Sequence, residues 1–382
     1  MKRFFATMCL LFLAGTAGAV APQPPEVAAG SFILVDMSSN QILAERNAEV
    51  PSDPASLTKL MTAYLVFNAI REKRIALDQP VAVSKLAWDE RKAGGSLMFI
   101  DTTMMPKVQE LLYGMIVQSG NDASVALAEA VGGTVDQFVT MMNRQAQAFG
   151  LKNTNFKNVT GLTQAGHFTT ARDLSVIAAR IIRDFPEFYP YYSTKEYKYN
   201  NITQPNRNLL LRRDPTVDGM KTGYTEAAGY CLIASAQRDA SGGKRRLLSV
   251  VLKSASMEAR AGESQKLLNW GFQAFDTITL LDPSKPLVTP EVWKGAAKSV
   301  NLGAARSVSI SVPRGDGGKL KTHLERTDPL VAPLTKGQVV GTVKVSNEND
   351  EVVAQVPLLV MEPVGEASWF GRAWDAMRLW IK

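Results

Sequence analysis

The sequence predicts a mixed α/β unit, then a small all-β domain, then a terminal amphipathic helix. Three observations predict it. Helical patterns, opened by the apolar segment PASLTKLMTAYLVFNAI at 54–70, dominate up to about residue 186. From residue 217 the pattern changes to antiparallel strands and one more helix, and beyond Pro283, Pro286 and Pro290 only short alternating runs occur until the final stretch. With 382 residues and 46% hydrophobic content, the chain can fill two cores.

At the N-terminus, Lys2 and Arg3 precede the apolar run Phe4 to Leu13, and small residues lead to Ala17-Gly18-Ala19. This reads as a secretory signal peptide over 1–19, with a retained N-terminal anchor as the alternative; the run is short for a permanent span. Its removal takes away two basic and no acidic residues, so the net charge falls from +7 to about +5. That charge is spread rather than clustered, and no nucleic-acid partner is expected. Cys9 leaves with the leader, so Cys231 has no internal partner and reads as a small buried strand residue. Neither zinc-ligand spacing nor a CxxC pair exists, and neither metal nor cofactor is expected.

The stretch SFILVDMSSNQILAERN reads as a hairpin turning at SSN. After the helix that opens at residue 54, helical patterns run through Val108 to Gln118, Ser124 to Val131, Val135 to Phe149 and Ala171 to Arg183. VDGMKTGYT, AGYCLIASAQR and RRLLSVVLKS read as strands, the last two joined by a turn at 239–243, and a helix from Ala259 to Phe275 closes the unit. Taking the prolines as a linker gives a catalytic domain over 20–278 and a β-rich domain over 279–362, followed by a tail over 363–382. On a helical wheel, Phe370, Trp374, Met377 and Ile381 of that tail fall on one line, flanked by Trp369, Ala373 and Trp380, with Arg372, Asp375, Arg378 and Lys382 opposite. Leu379 is the misfit. Such a helix is too short and too charged to span a bilayer; it suits a membrane surface, or else docks on the protein's own core.

The chemistry centres on an oddity in the opening helix. Lys59 lies among Leu57, Leu60, Met61, Tyr64 and Leu65, where an uncompensated ammonium is costly. Ser52-Asp53-Pro54 is a helix-start signal, which puts Ser56 in the first turn and Lys59 three residues on, about 5–6 Å away on the same face. Burial lowers a lysine pKa and makes its neutral amine a base for the serine hydroxyl. Alone, SxxK also fits an ordinary capped helix with a snorkelling lysine. Two further triplets add to it. Ser119-Gly120-Asn121 joins two helical runs, where Gly120 permits a tight joint and the polar side chains can enter a cleft; Asn121 could equally be a helix cap. Lys221-Thr222-Gly223 lies on a strand, with a cation and a hydroxyl suited to a carboxylate and a glycine that marks either a ligand's close approach or a bulge.

SLTK at 56–59, SGN at 119–121 and KTG at 221–223, in that order, resemble the three motifs of penicillin-binding proteins and serine β-lactamases. Intervals of 59 residues between Lys59 and Ser119 and 99 between Asn121 and Lys221 separate them. Together with ASLTKLMTAYL, SGNDASVALAE, VDGMKTGYTEAAGY and ESQKLLNWGF, the whole arrangement is most similar to the low-molecular-mass D-alanyl-D-alanine carboxypeptidases. The resemblance implies an α/β (α+β) penicillin-binding/β-lactamase-like catalytic domain with a small all-β C-terminal domain. It implies that Ser56 is acylated, Lys59 is its base, and Ser119 and Asn121 relay protons and hold the substrate amide. Lys221 and Thr222 would face the substrate's terminal carboxylate with help from Arg260, Gly223 would belong to the same substrate-binding strand, and the amides of Ser56 and Tyr224 would form an oxyanion hole. The expected partners are peptidoglycan stem peptides, β-lactam antibiotics and, through the terminal helix, the periplasmic face of the bacterial inner membrane. Tyr224 stands where some members carry histidine, and SGN where many relatives have SDN.

Other chemistries fare worse. A histidine triad has only His167 and His323 to draw on, and His167 in GLTQAGHFTTARD reads as structural. A β-lactamase needs an efficient deacylation base, and Glu187 in FPEFYPYY does not fit the class A motif. An endopeptidase or transpeptidase sharing the acyl-enzyme stays open, as does a non-catalytic scaffold that binds wall peptides.

Overall fold

The computed structural model describes residues 22–240 and 243–381. The leader read at 1–19, the turn residues Ser241 and Gly242, and Lys382 lie outside the described residues. The first strands, β1 (Ser31–Asp36) and β2 (Gln41–Arg46), form the expected hairpin. A 3-10 turn, Ala55–Thr58, leads into α1 (Lys59–Arg71), followed by α2 (Lys85–Ala93), α3 (Val108–Ile116), α4 (Asn121–Gly132), α5 (Val135–Ala148) and α6 (Ala171–Asp184). Next come a small hairpin, β3 (Glu196–Tyr199) and β4 (Ile202–Pro205), and the single turn α7 (Leu210–Arg213). Then β5 (Val217–Thr225), β6 (Gly229–Ala240) and β7 (Gly243–Ser254) complete an antiparallel sheet in the order β2-β1-β7-β6-β5, and α8 (Met257–Ala274) closes the unit.

The sheet is buried on both faces, which its alternation explains. Ile33, Ile233, Val250 and Leu252 pack with the core of α1 and α3–α6, whereas Leu34, Leu232, Leu247 and Val251 pack with Leu267, Leu268 and Phe272 of α8. Helix α1 has no polar face because it lies in the middle of the first core: Leu60, Met61, Ala63, Val66 and Phe67 are all fully buried. Strand β5 is an edge strand, so one row of its backbone groups faces the region where α1 begins.

The start of α1 departs from the expected cap. Ser52 pairs its backbone with Thr169, Pro54 occupies the cap of the 3-10 turn, and no side chain caps it. The turn is held by tertiary packing instead. Ala55 carries a left-handed φ of +47°, and Gly161, at φ +88°, lies so close beneath it that a Cβ there would stand 1.7 Å from the Ala55 carbonyl oxygen.

The proline-marked linker also differs. Strand β8 (Phe275–Leu281) begins directly where α8 ends and pairs with β11 (Val308–Pro313), so the three prolines fall in a loop within the second unit. That unit also holds the short β9 (Val292–Trp293), β10 (Leu302–Ala304) and β13 (Leu330–Val331), and the longer β12 (Lys321–Arg326), β14 (Val339–Ser346) and β15 (Val352–Val360), in a sheet of order β10-β15-β14-β12 with a separate pair β13-β9. The two units meet at a buried carboxylate. Asp36 Oδ2 accepts hydrogen bonds from Arg245 Nε at 2.8 Å, Thr277 Oγ1 at 2.5 Å and Ser311 Oγ at 2.8 Å.

Helix α9 (Trp369–Ile381) docks by its polar side. Asp375 Oδ2 accepts from the Lys294 amide at 2.7 Å, the Arg378 guanidinium lies 5.1 Å from the Trp293 ring, and Arg372 pairs with Glu366. Leu379, the misfit on the wheel, lies partly covered, while Trp369, Phe370, Trp374, Met377 and Trp380 are exposed. A helix designed for water would do the opposite.

Candidate active site

Every residue singled out in the three triplets converges on one place. Ser56, Ser119, Asn121, Thr222, Gly223, Tyr224 and Arg260 line a cavity of about 290 Å³, and Lys59 and Lys221 stand behind its wall, almost fully buried. Lys59 Nζ lies 3.0 Å from Ser56 Oγ, 2.8 Å from Asn121 Oδ1 and 2.6 Å from the Thr160 carbonyl oxygen. Burial pushes its pKa down to about 7, with Glu90 and Asp122 pulling up and Arg207 pulling down. A neutral amine has two N–H donors and one lone pair. Asn121 and Thr160 can accept the two, which aims the lone pair at the Ser56 hydroxyl.

The SGN joint works differently from the expectation. The left-handed conformation falls on Ser119, at φ +62°, and not on Gly120, whose φ is −60°. A non-glycine residue there is strained, and the strain turns its hydroxyl toward Lys221, whose Nζ donates to Ser119 Oγ at 2.9 Å and to the Thr222 carbonyl at 3.1 Å. Asn121 is no cap: it is the first residue of α4, with its Nδ2 donating to the Gly94 carbonyl at 3.3 Å. Gly223 is explained by packing of the protein on itself. A Cβ there would stand 3.1 Å from Ala55 Cβ and 3.3 Å from the Ser56 amide nitrogen, so β5 can approach the serine's turn only without a side chain.

Positive charge gathers on one side. Arg260 Nη1 donates to the carbonyls of Gly223 at 3.0 Å and Cys231 at 3.4 Å, and burial lowers its pKa to about 10. Burial also holds Lys221 well below its ordinary value, with Lys59, Arg207 and Arg260 adding repulsion. Arg207, which bonds Ser96 Oγ, lines the same cavity. None of Lys221, Arg207 and Arg260 has a carboxylate within ion-pair distance among the described residues, so the cavity is set to receive an anion. Tyr224 is half exposed and lies against Tyr230, ring centroids 4.4 Å apart.

Sequence reasoning missed Arg207, Thr160, Gly161 and Glu90. Glu90 has a buried Oε2 with no hydrogen-bond partner among the described residues, and burial raises its carboxyl while Lys59 opposes. Only the glycine in NVTGL offered a local signal; the rest reach the site through contacts distant in sequence. Glu187 is paired with Arg71 at 2.9 Å and does not line the cavity. His323 lies in β12 of the second unit, and no cluster of metal-ligating side chains occurs among the described residues.

Residues 18–256 match the family described as D-alanyl-D-alanine carboxypeptidase, peptidase S11. The chain belongs to the D-alanyl-D-alanine carboxypeptidase family. The second unit agrees, since residues 275–366 match the C-terminal domain of penicillin-binding protein 5, starting with β8. The D-alanyl-D-alanine carboxypeptidase DacC of Escherichia coli (strain K12) is 44% identical over 383 residues, covering 98% of this chain and 94% of its own. The crystal structure of penicillin binding protein 5 from Haemophilus influenzae superposes with a TM-score of 0.84 at 42% identity, covering 90% of this chain and all of that one. Penicillin-Binding Protein D2 from Listeria monocytogenes, solved in its ampicillin bound form, superposes with a TM-score of 0.59 at 30% identity, over 66% of this chain and 100% of that one. The family is one of serine hydrolases with the mixed α/β penicillin-binding fold, here carrying an all-β C-terminal domain.

Proposed function

We propose that this carboxypeptidase removes the terminal D-alanine from peptidoglycan pentapeptide stems through an acyl-enzyme on Ser56. The observation that carries the reading is the buried Lys59 amine, 3.0 Å from Ser56 Oγ and with a pKa of about 7. The neutral amine takes the hydroxyl proton as Oγ attacks the carbonyl carbon of the penultimate residue. The amides of Ser56 and Tyr224 meet the oxyanion, a stabilisation worth about 2.7–4 kcal/mol per donor in comparable sites. The proton taken by Lys59 is handed on through the Ser119 hydroxyl, itself bonded to Lys221, to the departing amine of D-alanine, so that Ser119 ends as it began and Lys59 is neutral again; water then hydrolyses the ester. Thr222 and the cations Lys221 and Arg260, with Arg207 beside them, receive the terminal carboxylate, and the free edge of β5 runs alongside for an extended peptide.

β-Lactams carry a strained amide and a carboxylate, so they are expected to acylate the same serine. The test is release of D-alanine from a peptide ending in D-Ala-D-Ala. Wild type should release it, and Ser56→Ala should neither release it nor bind penicillin covalently; equal release by both proteins would refute the mechanism.

We also infer export through the 1–19 leader and residence on the periplasmic face of the inner membrane. No described helix is long and apolar enough to cross a membrane. Helix α9 instead turns three tryptophans, Phe370 and Met377 outward from its docked polar side, which suits a headgroup interface. Truncation after Ser368 is expected to free the protein from sedimenting membranes with peptide turnover unchanged; continued co-sedimentation would reject α9 as the anchor.

A further inference from the structure

His167 takes no part in the chemistry above, yet both its ring nitrogens are engaged at the turn that carries that chemistry. Nδ1 accepts the Lys157 backbone N–H at 2.8 Å, so the ring proton sits on Nε2, which donates to Thr58 Oγ1 at 2.9 Å. The ring is buried, which pushes its pKa down to about 4 against the pull of Asp53, so it is neutral at ordinary pH. Thr58 is fully buried and stands between Ser56 and Lys59. Lys157 belongs to the same loop as Thr160, whose carbonyl holds Lys59, and Gly161, which packs under Ala55.

We propose that His167 is a positioning residue for acylation: by bridging the Lys157 amide and the Thr58 hydroxyl, it clamps the loop after Leu151 against the Ser56–Lys59 turn. The clamp keeps the Thr160 carbonyl on the lysine and water off it. This rests on the roles proposed for Ser56 and Lys59.

Loss of the clamp lets water reach the Lys59 amine, and its pKa then climbs toward the ordinary lysine value. The charges that face Lys59 are Glu90 from α2, Asp122 from α4, Arg207 from the segment after β4 and Lys221 from β5, and none of them changes with residue 167. A rise of one unit leaves about fivefold less neutral amine at pH 7.

The experiment is the pH profile of acylation by a fluorescent penicillin, with the full chain, three variants of the clamp and Ser56→Ala as the control. His167→Leu and Thr58→Val should each move the acid limb upward by about half a unit or more and slow acylation at pH 7. His167→Gln, whose amide can still donate to Thr58, should keep the limb in place. Limbs at the wild-type position in both His167→Leu and Thr58→Val, whatever their melting temperatures, would overturn the proposal, as would a limb displaced by His167→Gln as far as by leucine. Should the leucine variant fail to fold, Thr58→Val decides alone. Labelling that persists in Ser56→Ala would instead bring down the roles on which the proposal rests.

Discussion

Replacement of Lys59 by alanine is expected to slow acylation of Ser56 by roughly 10²–10⁴-fold, the contribution of a well-placed general base. The lysine is the one base within hydrogen-bond distance of Ser56 Oγ among the described residues, and two of its contacts are spent on orienting it. The pH dependence follows from the same group. With a pKa of about 7, its neutral fraction rises as pH rises, so acylation by penicillin should climb tenfold per unit below pH 7 and level off above it. A stopped-flow profile checks this, and a rate already independent of pH between 5 and 7 would exclude Lys59 as the base. The variant should lose that limb along with its activity, because the amine beside Ser56 Oγ is gone.

The second large effect concerns stability at the junction of the two units. Asp36→Ala removes the carboxylate partner of Arg245, whose side chain is 4% exposed, and leaves a buried guanidinium with only the Gly271 and Phe275 carbonyls to meet its charge. Breaking a buried ion pair from one side costs about 3–5 kcal/mol, a large share of a domain's stability. The Thr277 and Ser311 hydroxyls lose the same acceptor, so the junction should open before the catalytic core does. Burial alone pushes the Asp36 carboxyl up, but the bonds from Thr277, Arg245 and Ser311 together hold it below the usual carboxylate range. A carboxyl depressed in the folded state contributes stability that is complete above its unfolded value, about 3.9, and drains as pH falls through its lower folded value. Urea unfolding at neutral pH and in acid separates these outcomes. A wild-type midpoint for Asp36→Ala at neutral pH would mean that the pair contributes nothing.

Much of this molecule was legible because its signals are local. Ser56 and Lys59 are three residues apart on one turn, so helical geometry alone brings them together. The short unbroken apolar runs of β1, β6 and β7, the greasy circumference of α1 and the aromatic line of α9 are likewise written in consecutive letters. The class of those elements and the nearness of Ser56 to Lys59 needed nothing more, whereas the roles of the two residues came with the resemblance that the three triplets carry, and α2, β3, β4 and α7 left no such signal.

What tertiary structure alone decided is where long separations close. The lysine's remaining partners come from 62 and 101 residues away, and no spacing rule ties Asn121 or the Thr160 carbonyl to it. The left-handed backbone at Ala55 and Ser119 is paid for by packing against neighbours, so residue type did not announce it. The same holds for Arg207 and His167, and for the choice of α9 to dock by its charges. Local periodicity fixes which residues share a face; only the path of the whole chain decides what that face meets.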